Sequence, residues 1–283
     1  MTSPAPQSGL EVKFWGVRGS IPACGPRFEE YGGNTPCVEI RCGGRLVVVD
    51  AGTGLQAFGV DLAANAPAEI DIVLSHLHLD HVGGLPFFRP ALMADRLVRL
   101  HCGNLRGETA EEALDRLFSP PLFPVSLGQL PSAFEHVGFK AGDTLRLGDG
   151  LAIRTIPLNH PGGATGYRFD HGGRAVCYIS DIEHEEPWPP PDLAGFVRGA
   201  DLVIYDGMFS ETEYLRCRGW GHSTWEKGVA LCDAAGVQAL AIFHLHPQHD
   251  DAYLRKVDAE IKVRMPGGFL AREGQVILFP AVE

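Results

Sequence analysis

No stretch of this 283-residue chain reaches the roughly 18 uninterrupted apolar residues of a membrane span. The start, MTSPAPQSGLEVKF, has no basic segment followed by an apolar core, so no secretion signal is expected. Cysteine is sparse and unpatterned: Cys24, Cys37, Cys42, Cys102, Cys177, Cys217 and Cys232 form an odd set without a CxxC pair. That argues against a cysteine zinc site and predicts reduced thiols in a cytoplasmic protein, with Cys177 a buried strand residue. Positive charge is short as well, 24 Lys and Arg against 35 Asp and Glu, a net charge of −11. A broad phosphate-gripping face needs clustered Lys and Arg. No extended nucleic-acid surface is therefore expected, although a small anionic substrate held by local metals is not excluded. Repeats, low-complexity tracts and linkers are also missing. With 45% hydrophobic and 21% charged residues, the composition is globular. The reading is a single domain over 1–283 with a sizeable core.

What is present is concentrated in HLHLDH, residues 76–81, directly after the strand-like run IDIVLS. A continuing strand would put His76, His78 and Asp80 on one face and turn His81 away. A helix would set His76 beside Asp80 and about 200° from His78. A loop closing a strand and opening a helix escapes both limits and can divide the four groups between two adjacent metal ions. Imidazoles with carboxylates suit zinc first, with manganese or iron as alternatives. Taken alone, the segment could also be a histidine-rich surface turn.

Other apolar runs end in the same manner. LVVV runs into Asp50, LAIRTIPLN into His160, AVCYIS into Asp181, LVIY into Asp206 and LAIF into His244. In α/β folds, sites collect at the carboxyl ends of strands. Six such endings, counting the one before His76, point to one convergent site. CVEIRC–GGR–LVVVD and YRFD–HGG–RAVCYIS read as hairpins. Residues 107–118, 225–235 and 250–262 read as helices, the first with an apolar stripe of Ala110, Leu114, Leu117 and Phe118. The expected fold class is α/β, two packed mixed sheets with helices outside. Segment 118–133 carries four prolines among apolar residues and reads as a packed loop or lid.

HLHLDH followed in order by His160, Asp181 and His244 resembles the metal motifs of the metallo-β-lactamase superfamily, over nearly the whole chain from VVVDAGTG to FHLHP. The resemblance implies an αββα sandwich with a dinuclear site at one edge. By position it implies His76, His78 and His160 on the first metal, Asp80, His81 and His244 on the second, and Asp181 bridging. Asp50 matches an aspartate that fixes the tautomer of a ligand histidine. LNHPGGATGYRF, YISD, YDGMF and GHST look like the phosphodiesterase branch, which includes the tRNA 3′-processing endonucleases and the phosphoribosyl cyclic phosphodiesterases. There a carboxylate pairs with the histidine of the HST segment; here Asp206 and His222 hold those positions. GVRGSIP…YGGNT resembles a substrate-side loop and brings in Arg18 and Asn34. Arg18 reads equally as a phosphate clamp or a loop tie, and Asn34 first as a turn residue. No glycine-rich basic insertion supplies the endonucleases' tRNA-gripping arm. Homodimers are common among such relatives.

The implied chemistry suits these residues. Two divalent ions roughly 3.5–4 Å apart lower the pKa of a bridging water and polarise a phosphoryl oxygen. The leaving alkoxide needs a proton, and an imidazolium at His222 supported by Asp206 supplies it. The expected enzyme is a metal-dependent hydrolase of a small or cyclic phosphodiester, such as a cyclic nucleotide or an oligonucleotide end. A structure-specific ribonuclease, a thioester or lactone hydrolase, and a redox protein on the same fold are the rivals. His184, three residues after Asp181, reads first as an exposed loop residue and second as a group supporting the ligands; His246 and His249 as rim or turn residues; His101, His136 and His171 as structural.

Overall fold

The computed structural model describes residues 9–103, 105, 107–147 and 151–282. The first eight residues, part of the segment read as lacking a leader, lie outside them. Alternation of side chains explains the layers. In β3 (Arg45–Val49), Leu46 and Val48 face one core, while Val47 and Val49 face another. In β4 (Glu69–Leu74), Ile70, Ile72 and Leu74 join the former core and Val73 the latter. Strands apolar on both faces must be covered on both.

The first sheet also contains β1 (Leu10–Gly16), β2 (Cys37–Cys42), β5 (Leu97–Gly103), β6 (Ala133–Phe139) and β14 (Val276–Phe279), in the order β14-β1-β2-β3-β4-β5-β6. The second is built from β7 (Thr144–Arg146), β8 (Ala152–Leu158), β9 (Ala164–His171), β10 (Arg174–Ile179), β11 (Leu202–Asp206), β12 (Leu240–Phe243) and β13 (Gly268–Leu270). Its order is β13-β12-β11-β10-β9-β8-β7. Each sheet changes from antiparallel to parallel pairing part-way across, at β3 in one and β10 in the other. Both predicted hairpins are present, as β2–β3 and β9–β10.

Helices α1 (Gly54–Leu62) and α3 (Ala110–Leu117) cover the outer face of the first sheet through Leu55, Phe58, Ala110 and Leu114. A short α2 (Leu79–Val82) lies between them. On the second sheet, α4 (Pro191–Val197), α6 (Trp225–Ala235) and α7 (Asp251–Arg264) bury Leu193, Val229, Leu254 and Ile261. A single-turn α5 (Glu211–Tyr214) precedes α6. The expected αββα sandwich holds. Helix α3 starts at Ala110, the first residue of its apolar stripe and three residues after the expected start at 107, because Thr109 and Glu112 form a reciprocal capping box there.

Segment 118–133 packs beside α3. The Phe123 ring lies 5.9 Å from Phe87 and 5.7 Å from Phe118, an anchor for the middle of the loop. All seven cysteines are free, and Cys177 is fully buried in β10. Among the described residues, no helix is long and apolar enough to cross a membrane.

Candidate metal centre

Three of the predicted strand endings share an uncommon backbone. Asp50 after β3, Asp181 after β10 and His244 after β12 have φ of 62°, 62° and 57°. Ser20 is the one other non-glycine described residue in this left-handed region, at 63°. A side chain held there costs on the order of 1–3 kcal/mol and persists only where its surroundings dictate it. Here Asp50 and His244 are fully buried and Asp181 is 1% exposed. The sharp turn off each strand brings their side chains together.

The imidazoles are oriented one by one. Asp50 accepts four hydrogen bonds, from Ser75 N (2.7 Å), Ser75 Oγ (2.8 Å), Tyr178 OH (2.7 Å) and His81 Nδ1 (2.8 Å). With its Nδ1–H given to Asp50, His81 turns Nε2 inward, 3.2 Å from Asp181 Oδ2 and 3.3 Å from Asp80 Oδ2. His160 donates Nδ1–H to Gly221 O at 2.7 Å and likewise turns Nε2 inward. His244 Nε2 lies 3.2 Å from Asp80 Oδ2 and 3.4 Å from Asp181 Oδ1. Two glycines make this packing possible. A Cβ at Gly19 would meet the His244 ring at 2.2 Å, and one at Gly221 would meet His160 Nδ1 at 2.5 Å.

The donor set fits cations. Ligand atoms of His76, His78 and His160 lie within 4.8 Å of one another, as do those of His76, His81 and Asp181, and those of Asp80, His81 and His244. His76 Nε2 is buried without a hydrogen-bond partner. His78 Nδ1 faces His160 Nε2 at 3.1 Å, and His81 Nε2 faces His244 Nε2 at 3.3 Å. Two neutral imidazoles presenting lone pairs to each other repel unless a cation or a proton lies between them. Burial pushes the pKa of His76 down, and likewise those of His78 and His160, which leaves neutral ligands. At His81 burial opposes the charge, yet Asp181, Asp80 and Asp50 outweigh it and push the pKa well up. The carboxylates call for positive charge at this spot. These residues could hold divalent ions by nitrogen and oxygen donors.

Beside the ligand groups, His222 Nδ1 lies 2.9 Å from Asp206 Oδ2. Burial disfavours the imidazolium, but Asp206, followed by Asp181 and Asp80, raises its pKa to about 9. Asp206 is the last residue of β11 and reaches His222 directly despite its short side chain. The loop carrying His222 is clamped by Glu183, which accepts from Gly219 N (2.6 Å) and Gly221 N (2.8 Å).

The Beta-lactamase superfamily domain matches residues 45–245, well over half of the sequence. The chain belongs to the beta-lactamase superfamily. It is similar to the Ribonuclease Z of Bradyrhizobium sp. (strain ORS 278), 23% identical over 287 residues, covering 86% of this chain and 91% of that protein. Among solved structures, it resembles the metallo-beta-lactamase fold protein YhfI from Bacillus subtilis, with a TM-score of 0.71, 20% identity and coverage of 96% and 99%. A diphosphatase from the PhnP family gives a TM-score of 0.70 at 19% identity, covering 97% of this chain and 100% of that one.

Within this superfamily frame the structure gathers His76, His78, Asp80, His81, His160, Asp181, Asp206, His222 and His244 around one centre, with Asp50 behind His81. Arg18 does not face it. Its side chain is fully buried, donating Nε–H to Gly32 O (2.7 Å) and Nη1–H to His246 O (3.1 Å) and His249 O (2.7 Å). Of its two readings, the loop tie is the one its bonds show: Nε and Nη1 hold carbonyls, while Nη2 is buried without a hydrogen-bond partner. Asn34 is tied down too, donating to Glu273 at 3.0 Å and accepting from Thr53 Oγ1 at 3.0 Å. His184 is not an exposed loop residue: it is buried, with Nδ1 2.9 Å from Ser223 Oγ. His249 pairs with Glu213 at 2.7 Å and His101 with Asp71 at 2.9 Å. His246, His249, His101, His136 and His171 join none of the ligand groups.

Four contributors were not among the expected site residues: Ser75, Tyr178, Glu183 and Ser20, whose backbone N–H donates to Asp80 Oδ2 at 2.7 Å. Ser75 and Glu183 could have drawn notice by adjacency, one before His76 and two after Asp181. Tyr178 stands in YISD and Ser20 in GVRGSIP, segments noted for their other residues. Replacing Asp50 tests this inner support. Asp50→Asn should lower metal affinity by about 10–100-fold, the usual cost of losing a ligand's hydrogen-bond partner. Chelator competition measures it, and an unchanged affinity would assign Asp50 to packing alone.

Proposed function

We propose that this protein is a dinuclear metal-dependent phosphodiesterase acting on a small or cyclic phosphodiester. The observation carrying this reading is the His222–Asp206 pair at 2.9 Å, set against the ligand groups. Hydrolysis of an alkyl phosphodiester needs a proton for a poor leaving group, whereas a thioester expels a far less basic thiolate with less help. In this assignment His76, His78 and His160 would hold one ion and Asp80, His81 and His244 the other, with Asp181 serving both sets, and zinc is the first expectation. When bound, the two ions supply polarisation of a phosphoryl oxygen and activation of a water.

The chain's own groups do the rest. Asp50 and the Gly221 carbonyl hold His81 and His160 with Nε2 inward. Ser20 N–H fixes Asp80. His222, bound to Asp206 through Nδ1, keeps Nε2 for the proton that the departing oxygen takes up. After transfer the neutral ring stays oriented by Asp206 for reprotonation.

Relatives named Ribonuclease Z favour a second reading, cleavage of RNA. A net charge of −11 and the lack of a basic insertion weigh against an extended RNA footprint. A screen of metal-loaded protein separates the readings. It compares bis(p-nitrophenyl) phosphate, 2′,3′- and 3′,5′-cyclic nucleotides, phosphoribosyl cyclic phosphate, short RNAs and lactones. Small diesters should be turned over fastest. Faster cleavage of RNA would favour the second reading, and hydrolysis confined to lactones would overturn both.

A further inference from the structure

A cleft of about 600 Å³ opens beside His76 and His78, between α3, the 118–133 segment and the turn at Pro161–Gly163. Its wall is unlike the metal centre next to it. Leu105, Ala113, Leu117 and Leu122 line it, with Leu79 at the same edge. Leu79 is 64% exposed and Leu122 72% exposed, so apolar surface stands open to water immediately beside a polar centre. Apart from the imidazoles of His76 and His78 at its inner edge, the described lining residues offer no aromatic ring to stack on a base. Nor is there a Ser, Thr, Asn or Gln to read a base edge or a sugar hydroxyl. The two oppositely charged side chains of the wall, Glu108 and Arg116, are paired with each other at 2.5 Å. His222, Asp206 and His244 do not line the cleft.

We infer that this cleft is the subsite for an apolar ester group, alkyl or aryl, that stays on phosphorus while the other ester oxygen leaves. The inference rests on the phosphodiesterase reading for its chemistry and narrows the substrate class. A sugar or base in this cleft would exchange water's hydrogen bonds for leucine methyls, a costly desolvation. An alkyl or aryl group would instead cover Leu79 and Leu122, gaining roughly 25 cal/mol for each Å² removed from water. Because the acid pair lies outside the cleft, the group held there is the retained one, and the oxygen receiving the proton lies toward His222.

The test keeps the leaving group constant. p-Nitrophenyl phosphodiesters whose second group is methyl, butyl, hexyl, phenyl or thymidin-5′-yl are compared by kcat/KM. The value should rise by about two- to fourfold per methylene, up to the roughly 0.8 kcal/mol of a fully buried CH2. Phenyl against hexyl distinguishes an aryl from an alkyl preference. Leu122→Glu, at an exposed position, should cut the hexyl-to-methyl ratio about tenfold. Titration calorimetry with hexyl phosphate and methyl phosphate asks the same question without turnover, and hexyl should bind more tightly. A flat series with equal binding of the two phosphates, or preference for the thymidine ester, would overturn the inference even with vigorous phosphodiester hydrolysis. Tighter hexyl phosphate binding without hydrolysis of any diester would support the cleft assignment while removing the proposed activity.

Discussion

Asp181→Asn protein, expressed and purified with zinc present, should contain well under one ion per chain where the parent contains close to two. Its phosphodiester hydrolysis should fall by more than about 100-fold, beyond the loss expected from a missing hydrogen-bond partner of a ligand. The expectation comes from position. Asp181 Oδ1 lies 3.4 Å from His244 Nε2 and 3.8 Å from His76 Nε2, while Oδ2 lies 3.2 Å from His81 Nε2. It therefore contacts residues assigned to both ions. The buried carboxylate is held well down in pKa despite its burial, chiefly by His244, His81 and His76. An amide at the same place keeps the shape and removes the charge, so folding is preserved while the cations lose their shared counter-ion. His78→Ala should likewise lose metal and activity. Elemental analysis showing full activity in metal-free protein would end the metal hypothesis for all these residues.

His222→Ala should behave differently. Because His222 stands outside the proposed ligand set, elemental analysis should still find both ions. Hydrolysis of diesters with a poor alkoxide leaving group should drop by roughly 10²–10⁴-fold, the usual contribution of a general acid. With p-nitrophenolate leaving, which needs little protonation, the loss should be much smaller. Asp206→Asn should show the same dependence in milder form, since it weakens support for the imidazolium without deleting it. Equal losses on both substrate types, with metals retained, would make His222 a binding or positioning residue. Loss of metal in His222→Ala would instead join it to the Asp181, Asp206 and His244 group as a ligand.

The large features were legible because they follow short-range rules. Continuous apolar runs marked the strands, and polar residues at their carboxyl ends marked where loops converge. HLHLDH bridges a strand and α2 as its spacing requires, with His78 at the helix N-cap. What escaped was anything set by burial or by partners distant in sequence. Nothing near Arg18 announces that two of its acceptors come from the carbonyls of His246 and His249, more than two hundred positions on. Tyr178 reads as one more strand apolar until its hydroxyl is found on Asp50. Ser20 acts through its backbone N–H, which carries no side-chain signature at all. His184 looked exposed because charged residues surround it in EHEE, yet Tyr214 lies 4.1 Å from its ring and encloses it.

The left-handed backbone at Asp50, Asp181 and His244 reaches beyond this one chain. At each position the peptide is held against its own preference, so folding alone would choose glycine or asparagine there. Aspartate and histidine tolerate this region better than most side chains, but what holds them here is the set of partners their side chains find at the centre. A descendant released from those partners would drift first at positions 50, 181 and 244, where a substitution relaxes the backbone and no longer harms anything. These three sites thus offer a historical gauge: joint loss of the aspartates and the histidine in a sibling sequence is the expected mark of an abandoned centre.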